Sequence, residues 1–250
     1  MSGHSKWKTN KAKKTAADAK KGALYTKIIK EITVAAREGG GNPDTNARLR
    51  TAIARAKEVN MPSDNIKTAI KRGTGELPGV SYETVMYEAY GPAGVAIIIE
   101  ALTDNKNRTT AELRNIMSKK GGNMAGAGSV SWMFSKKGYI LIDRSEIGEE
   151  DLMNIVLEAG AEDFKASEKN YEIITSVQDF EKVKQTLQEK GIKWQNAELT
   201  MIPSSTIKVT GNDAKQVLAL MDALEEHDDV QEVYANFDIP DEILEELAAT

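Results

Sequence analysis

At GTGELPG, residues 73 to 79, the spacing of the apolar residues changes, and this change constrains the fold more than any other feature. Before it, Leu24, Ile28, Ile32 and Ala35 recur at three- and four-residue steps, the stripe of an amphipathic helix from Ala16 to Arg37 that Gly39, Gly40 and Gly41 terminate. The pattern predicts a second helix from Asp44 to Val59, with Asp44 as its N-cap and Leu49, Ile53 and Ala56 facing inward. NMPSDN breaks it, and Ser63 can cap a third helix. There Ile66, Ala69 and Ile70 face a core while Asn65, Lys67, Thr68, Lys71 and Arg72 face out. Two helices joined by a short turn fit a helix-turn-helix reader whose second helix enters a major groove, and fit any three-helix bundle equally.

Beyond the change, strands and helices alternate. ETVMYEAYG (83–91) and GVAIIIEAL (94–102) read as strands by their branched and aromatic content. A helix follows over 109–120, then SVSWMF (129–134) as another strand. Within 137–203, GYILID, EEDLMNIVLEAG, EDFKAS, YEIITS, DFEKVKQTLQEKG and KWQNAELTMI spell β-α-β-β-α-β, the split βαβ order of ferredoxin-like modules. The flanking strands 94–102 and 129–134 with helix 109–120 are completed by STIKVT (205–210), helix 213–226 and VQEVYAN (230–236), the same order again. The expected fold class is therefore α+β. It has an N-terminal three-helix domain over 1–77, a ferredoxin-like domain built from 78–135 plus 204–250, and a second ferredoxin-like module over 136–203 inserted in it. PDEILEEL near the end reads as a short acidic helix.

Charge divides along the same boundary. Residues 1–77 carry 17 Lys and Arg against 7 Asp and Glu, whereas residues 78–250 carry 16 against 31. A cationic terminus most often meets a polyanion, and nucleic acid is the commonest one; a solvated lysine-rich helix is the alternative. GHSKWKTNKAKK (3–14) is followed by TAADAKKGAL rather than an apolar stretch of about 7 to 15 residues, so it does not read as an export signal. Lys14 and Lys21 fall in phase with the apolar stripe, which makes residues 3–21 an arm that overhangs the bundle. No run approaches the ~18 apolar residues of a membrane span. The chain has no cysteine, which removes thiolate chemistry and disulfides and fits a cytoplasmic location.

Catalytic groups are sparse. The two histidines, His4 and His227, have no partner at metal-ligand spacing, no Ser/His/Asp set can be built without them, and no phosphate-binding G-x-x-x-x-G-K-[ST] loop occurs. The expectation is a binding protein with no cofactor and no metal, not an enzyme. TDNKNRTTAEL (103–113) lies at a strand-to-helix turn, where unpaired amides attract phosphate and Asn105, Lys106, Asn107 and Arg108 add donors; Thr109 and Glu112 can instead form an ordinary capping box. GGNMAGAGS (121–129), with Lys119 and Lys120 at its base, either brings backbone amides close to phosphate or is a mobile connector. It follows a helix and precedes a strand, the reverse of a dinucleotide fingerprint.

GHSKW, YTKIIKEITVAAREGGGNPDTNARLR, AKEVNMPSDNIKTAIKRGTGE, YEAYGPAGVAIIIEALTDNKNRT and GGNMAGAGSVSWMF together resemble the YebC/PmpR family. Its members are usually named probable transcriptional regulatory proteins, and its mitochondrial relative is a translational activator of cytochrome c oxidase. The resemblance implies three domains with the third inserted in the second, and a function without catalysis. That function is a DNA-binding regulator of transcription, or alternatively a ribosome- and ribosomal RNA-binding translation factor that eases synthesis of proline-rich stretches. The expected partners are promoter DNA or ribosomal RNA, with no membrane and no small-molecule substrate. The candidate contacts are Lys6, Trp7, Lys8, Lys11, Lys13, Lys14, Lys20, Lys21 and Lys27 of the arm and first helix; Asn65, Lys67, Thr68, Lys71 and Arg72 of the third helix; and Asn105, Asn107, Arg108, Lys119 and Lys120. Trp7 either stacks on an exposed base or anchors the arm. Lysine dominates the arm, which favours phosphate contacts over bidentate reading of guanine.

Overall fold

The computed structural model describes residues 18–240 and Ile243, with side chains from Gly22 onward. The expected arm and the helix PDEILEEL, apart from Pro240 and Ile243, lie outside the described residues or their side chains.

Three helices come first: α1 (Asp18–Gly39), α2 (Ala47–Glu58) and α3 (Ser63–Thr74). Ile28, Ile32 and Ala35 of the α1 stripe are buried against Leu49, Ala52 and Ala56 of α2 and Ile66 and Ala69 of α3, so the apolar period read from the sequence is the one that packs. The caps differ from expectation. Asn46, not Asp44, caps α2: its Oδ1 accepts from Leu49 N at 3.0 Å. Its Nδ2 donates to Ala35 O at 2.7 Å and Gly40 O at 2.9 Å. An aspartate has no such donor, which is why the amide wins this buried corner. Pro62 occupies the N-cap position of α3, and the Ser63 side chain makes no capping bond. Gly75, at φ 82°, closes α3 in the left-handed conformation. Gly73 lets α3 approach α1 closely, since a Cβ there would lie 2.4 Å from Thr33 O.

The outer sheet runs β3-β1-β2-β9, with β1 (Glu83–Tyr90), β2 (Ala96–Thr103), β3 (Asn123–Ala125) and β9 (Val230–Ala235), every neighbouring pair antiparallel. Helices α4 (Lys106–Lys119) and α7 (Gly211–Glu225) cover one face, where Val85, Tyr87, Ile97 and Ile99 meet Leu113, Met117, Val217 and Leu224. The inner sheet runs β5-β6-β4-β7, with β4 (Phe134–Asp143), β5 (Ala161–Ala166), β6 (Asn170–Thr175) and β7 (Asn196–Pro203). It packs under α5 (Glu149–Ala159) and α6 (Phe180–Glu189) and has the split βαβ order expected from the sequence.

The outer sheet corrects two strands of that reading. STIKVT supplies only β8 (Ile207–Lys208), which pairs in parallel with β10 (Phe237–Asp238) in a separate two-stranded sheet. Its expected place belongs to β1, which pairs with β2 in unbroken register from Glu83↔Thr103 to Tyr90↔Ala96. The turn between them is short and closed by Gly91 N donating to Val95 O at 2.8 Å. A local hairpin closes a far shorter loop than a pairing with residues over a hundred positions away. The second correction is SVSWMF: Ser131–Met133 form a single 3-10 turn, and the edge strand is β3. The reason is a side chain. Glu88 takes the amides of Gly128, Val130 and Ser131, which a ladder would have needed.

Gly73→Ala should destabilise the chain by about 1–3 kcal/mol, because the backbone carbonyl it meets cannot swing away. A lower urea midpoint monitored by far-UV circular dichroism checks this; an unchanged midpoint would mean that α1 and α3 have slack.

Candidate nucleic-acid interface

The third helix presents the face expected of it. Ile66, Ala69 and Gly73 are buried, which leaves Asn65, Lys67, Lys71 and Arg72 exposed and Thr68 half-buried. Lys67 has an ion partner in Asp64 at 3.8 Å, an exposed pair of the kind that adds little to stability. Three cations and two hydrogen-bonding side chains thus stand on one side of one helix, a pattern suited to phosphates and base edges.

The structure separates the remaining candidates. Lys6, Trp7, Lys8, Lys11, Lys13 and Lys14 lie outside the described residues, and of Lys20 and Lys21 only the helical backbone of α1 is described. Lys27 turns to the outer module, where its Nζ donates to Glu225 O, and burial pushes its pKa down. It is committed to the seam between domains instead of to an outside phosphate. Lys119, Lys120 and Asn107 are exposed.

The turn before α4 is already filled. Asn105 caps the helix, its Oδ1 accepting from Arg108 N at 3.1 Å, so the expected capping box of Thr109 and Glu112 does not form. Arg108 Nη2 donates to Asp104 Oδ1 at 2.9 Å and Asp229 Oδ2 at 2.8 Å, and these hydrogen bonds, Asp229 first, raise its pKa. Two carboxylates therefore occupy the guanidinium that was to meet phosphate. Thr109 is buried and donates to Asp229 Oδ2 at 2.7 Å.

Asp229 lies at the centre of this arrangement. Its Oδ1 accepts from Lys30 Nζ of α1 at 2.6 Å, with the two side chains 4% and 9% exposed. Lys30 also donates to Asp228 O at 3.0 Å. Burial alone would raise the Asp229 pKa, but the hydrogen bonds from Lys30, Thr109 and Arg108 outweigh it and hold the carboxyl far below the usual carboxylate range. His227 and Glu112 adjoin it in an open groove of about 670 Å³. His227 Nε2 lies 2.9 Å from Glu112 Oε2, and its Nδ1 accepts from Asp229 N at 3.1 Å. Chain folding thus gives His227 the acidic neighbours that sequence spacing did not reveal. The ligand atoms of Glu112, His227 and Asp229 come within 4.8 Å of one another, but both Asp229 oxygens and His227 Nδ1 already hold protein hydrogen bonds. Asp229 thereby works as a clamp that ties α1 to the outer module.

The glycine-rich loop is anchored in a similar way. Glu88 accepts from Gly128 N at 2.7 Å, Val130 N at 2.6 Å and Ser131 N at 2.9 Å. Slight burial acts to raise the Glu88 pKa, and the backbone bonds overcome it and lower it. These amides therefore do not form an open phosphate cradle.

The chain resembles known proteins over nearly its whole length. The family model described as the TACO1/YebC protein N-terminal domain matches residues 5–76, and that of the TACO1/YebC second and third domain matches residues 82–237. A protein of Dictyoglomus turgidum named a probable transcriptional regulatory protein is 57% identical over 249 residues, covering 99% of this chain and 100% of its own. One of the same name from Syntrophus aciditrophicus is 56% identical over 250 residues, covering 100% of each. Among solved structures, a conserved hypothetical protein of Aquifex aeolicus, Aq1575, superposes with a TM-score of 0.76 at 47% identity, covering 89% of this chain and 92% of that one.

Because the folded-state pKa of Asp229 is depressed, its stabilisation is fully present above the unfolded value of about 3.9 and is lost as pH falls below it. Asp229→Asn should lower the midpoint of unfolding at pH 7, since it leaves Lys30 buried without a counter-charge, and should flatten the loss of stability between about pH 5 and 2. Equal acid sensitivity in the two proteins would contradict this role.

Proposed function

We propose that this chain, which belongs to the TACO1/YebC family, is a non-catalytic regulator of gene expression that binds nucleic acid through the outer face of α3 and the lysine-rich segment preceding α1. The observation that carries the reading is the α3 face itself: Asn65, Lys67, Thr68, Lys71 and Arg72 share it, and none of them belongs to the buried core. The relatives named as probable transcriptional regulators support DNA as the target.

In this reading Lys67, Lys71 and Arg72 contact phosphates and fix the position of the helix, while Asn65 and Thr68 reach base edges. The clamp on Asp229 holds α1, and so the bundle that presents α3, against the outer module. Catalysis is not part of the proposal. The carboxylate with the most strongly depressed pKa among the described residues is Asp229, and it accepts from two cations and a hydroxyl of the protein itself. No helix among the described residues is long and apolar enough to cross a membrane.

Formaldehyde crosslinking in cells, recovery of the protein and sequencing of the bound DNA and RNA test the target. Discrete promoter DNA is the expected result. Ribosomal RNA at one defined region, with little DNA, would overturn the DNA reading and make the protein a translation factor. In vitro, replacing Asn65 or Thr68 with alanine should change the preference among DNA sequences by about 1–3 kcal/mol at the base contacted. Unaltered preference in both variants would remove α3 as a reader.

A further inference from the structure

In the inner module the helices cover one face of the sheet, and the other face is sealed as well. Along β4, Ile140 and Ile142 turn toward α5 and α6, so Tyr139 and Leu141 turn the other way. The register sets Glu172 of β6 opposite Leu141 and Glu198 of β7 opposite Tyr139, on that same helix-free face. A sheet face left to water exposes its side chains, yet Tyr139, Leu141 and Glu172 are each only 2% exposed. Tyr139 and Leu141 belong to none of the apolar clusters that the described residues form in the outer module, in the inner module, in the helical bundle or where the two sheets meet. A further layer therefore covers this face.

The burial of Glu172 states the chemistry of that layer. A carboxylate is almost never fully buried unless a cation or a donor meets it, so the layer brings one. The lysines that share the face do not seal it. Lys165, opposite Glu172, turns to Asp163 at 3.0 Å, Lys137 turns to Glu162 at 2.6 Å, and both stay partly exposed. More acid borders the face: the Tyr234 hydroxyl of the outer sheet has its pKa raised, first by burial and then by Glu232, Glu100 and Glu198, so carboxylates of both sheets surround one space. The covering layer is thus cationic, with an apolar part for Tyr139 and Leu141. Of the two ends of the chain outside the described residues, the C-terminal one is acidic, with Asp241, Glu242, Glu245 and Glu246, and its Ile243 packs on the outer core. The N-terminal one carries Lys6, Lys8, Lys11, Lys13 and Lys14 around Trp7. Seventeen extended residues reach about 55 Å, roughly three times the radius of gyration of a compact chain of this length.

We propose that the helix-free face of the inner sheet is a docking site for the chain's own N-terminal segment, residues 3–17, with Trp7 against Tyr139 and Leu141 and the lysines toward Glu172 and Glu198. Lysines held in this way are withdrawn from phosphate until a polyanion draws the segment off the sheet, which makes the docking an autoinhibitory contact. That consequence rests on the nucleic-acid reading above, whereas the docking itself does not.

The first test gives the cysteine-free chain a single thiol by Leu141→Cys and follows its reaction with Ellman's reagent. In the full chain the thiol should react slowly. Replacing Lys6, Lys8, Lys11, Lys13 and Lys14 with glutamate should speed it about tenfold or more, because like charges brought together cost several kcal/mol, while far-UV circular dichroism stays the same. Equal rates in the two proteins would overturn the docking. The second test needs no substitution: an equal mixture of unlabelled and nitrogen-15 chains is coupled with a carbodiimide and its peptides are read by mass spectrometry. A lysine of residues 3–17 joined to Glu172 or Glu198 within chains of one isotope is the expected result. Mixed-isotope pairs would give the face to a second copy, and coupling confined to other carboxylates would leave the segment elsewhere; either overturns the proposal. Saturating 20-base-pair duplex DNA, with binding followed by anisotropy, should speed the thiol reaction of the Leu141→Cys chain. A bound duplex that leaves the rate unchanged would overturn the autoinhibition. A duplex that does not bind, with the coupling present, would overturn the nucleic-acid reading and leave the docking standing.

Discussion

The organisation of this protein depends on the buried contact of Lys30 with Asp229. These residues are 199 positions apart, and their 2.6 Å ion pair joins the first helix to the turn before the last strand of the outer sheet. Asp229 simultaneously receives Arg108 and Thr109 from the start of α4, and its carbonyl accepts Leu102 N at 2.8 Å from the end of β2. One acidic residue thus gathers three regions of the sequence. Breaking a buried pair leaves a bare charge in a poorly solvated place, so its members depend on each other more strongly than exposed pairs do. Arg55 to Glu232, and Arg37 to Ser81 and the carbonyls of Val80 and Tyr82, add weaker ties along the same seam.

The seam also divides the positive charge of the helical domain into two kinds. Lys27, Lys30, Arg37, Arg48 and Arg55 bond to carboxylates, carbonyls or a hydroxyl of the protein itself. Hydrogen bonding to Glu31 is the first reason that Arg48 has a raised pKa. Lys67, Lys71 and Arg72 are exposed on the outer face of α3, and Lys67 alone of them has an ion partner among the described residues, the exposed Asp64. Net charge read from composition counts both kinds equally, whereas only the second is available to a polyanion.

This division explains what the sequence disclosed. Period and turn residues exposed the three helices, the inner module and the outward face of α3, because each is dictated by residues a few positions apart. The filling of the Arg108 turn by Asp229 and the use of Glu88 on loop amides depend on partners 40 or more positions away, and no local pattern carries them. Trp132 was legible only as part of a presumed strand. Its exposure follows from Glu88 removing the ladder amides, a contact that no spacing rule anticipates.

The central claim is that the α3 face meets a polyanion, and the salt dependence of duplex DNA binding tests it most directly. If about six cations contact phosphate, the logarithm of affinity should fall against the logarithm of salt with a slope near −5. Replacing Lys67, Lys71 and Arg72 together with glutamine should reduce the steepness of that slope by about 3. A slope near zero for the wild-type chain, or one that the triple replacement leaves unchanged, would contradict the account.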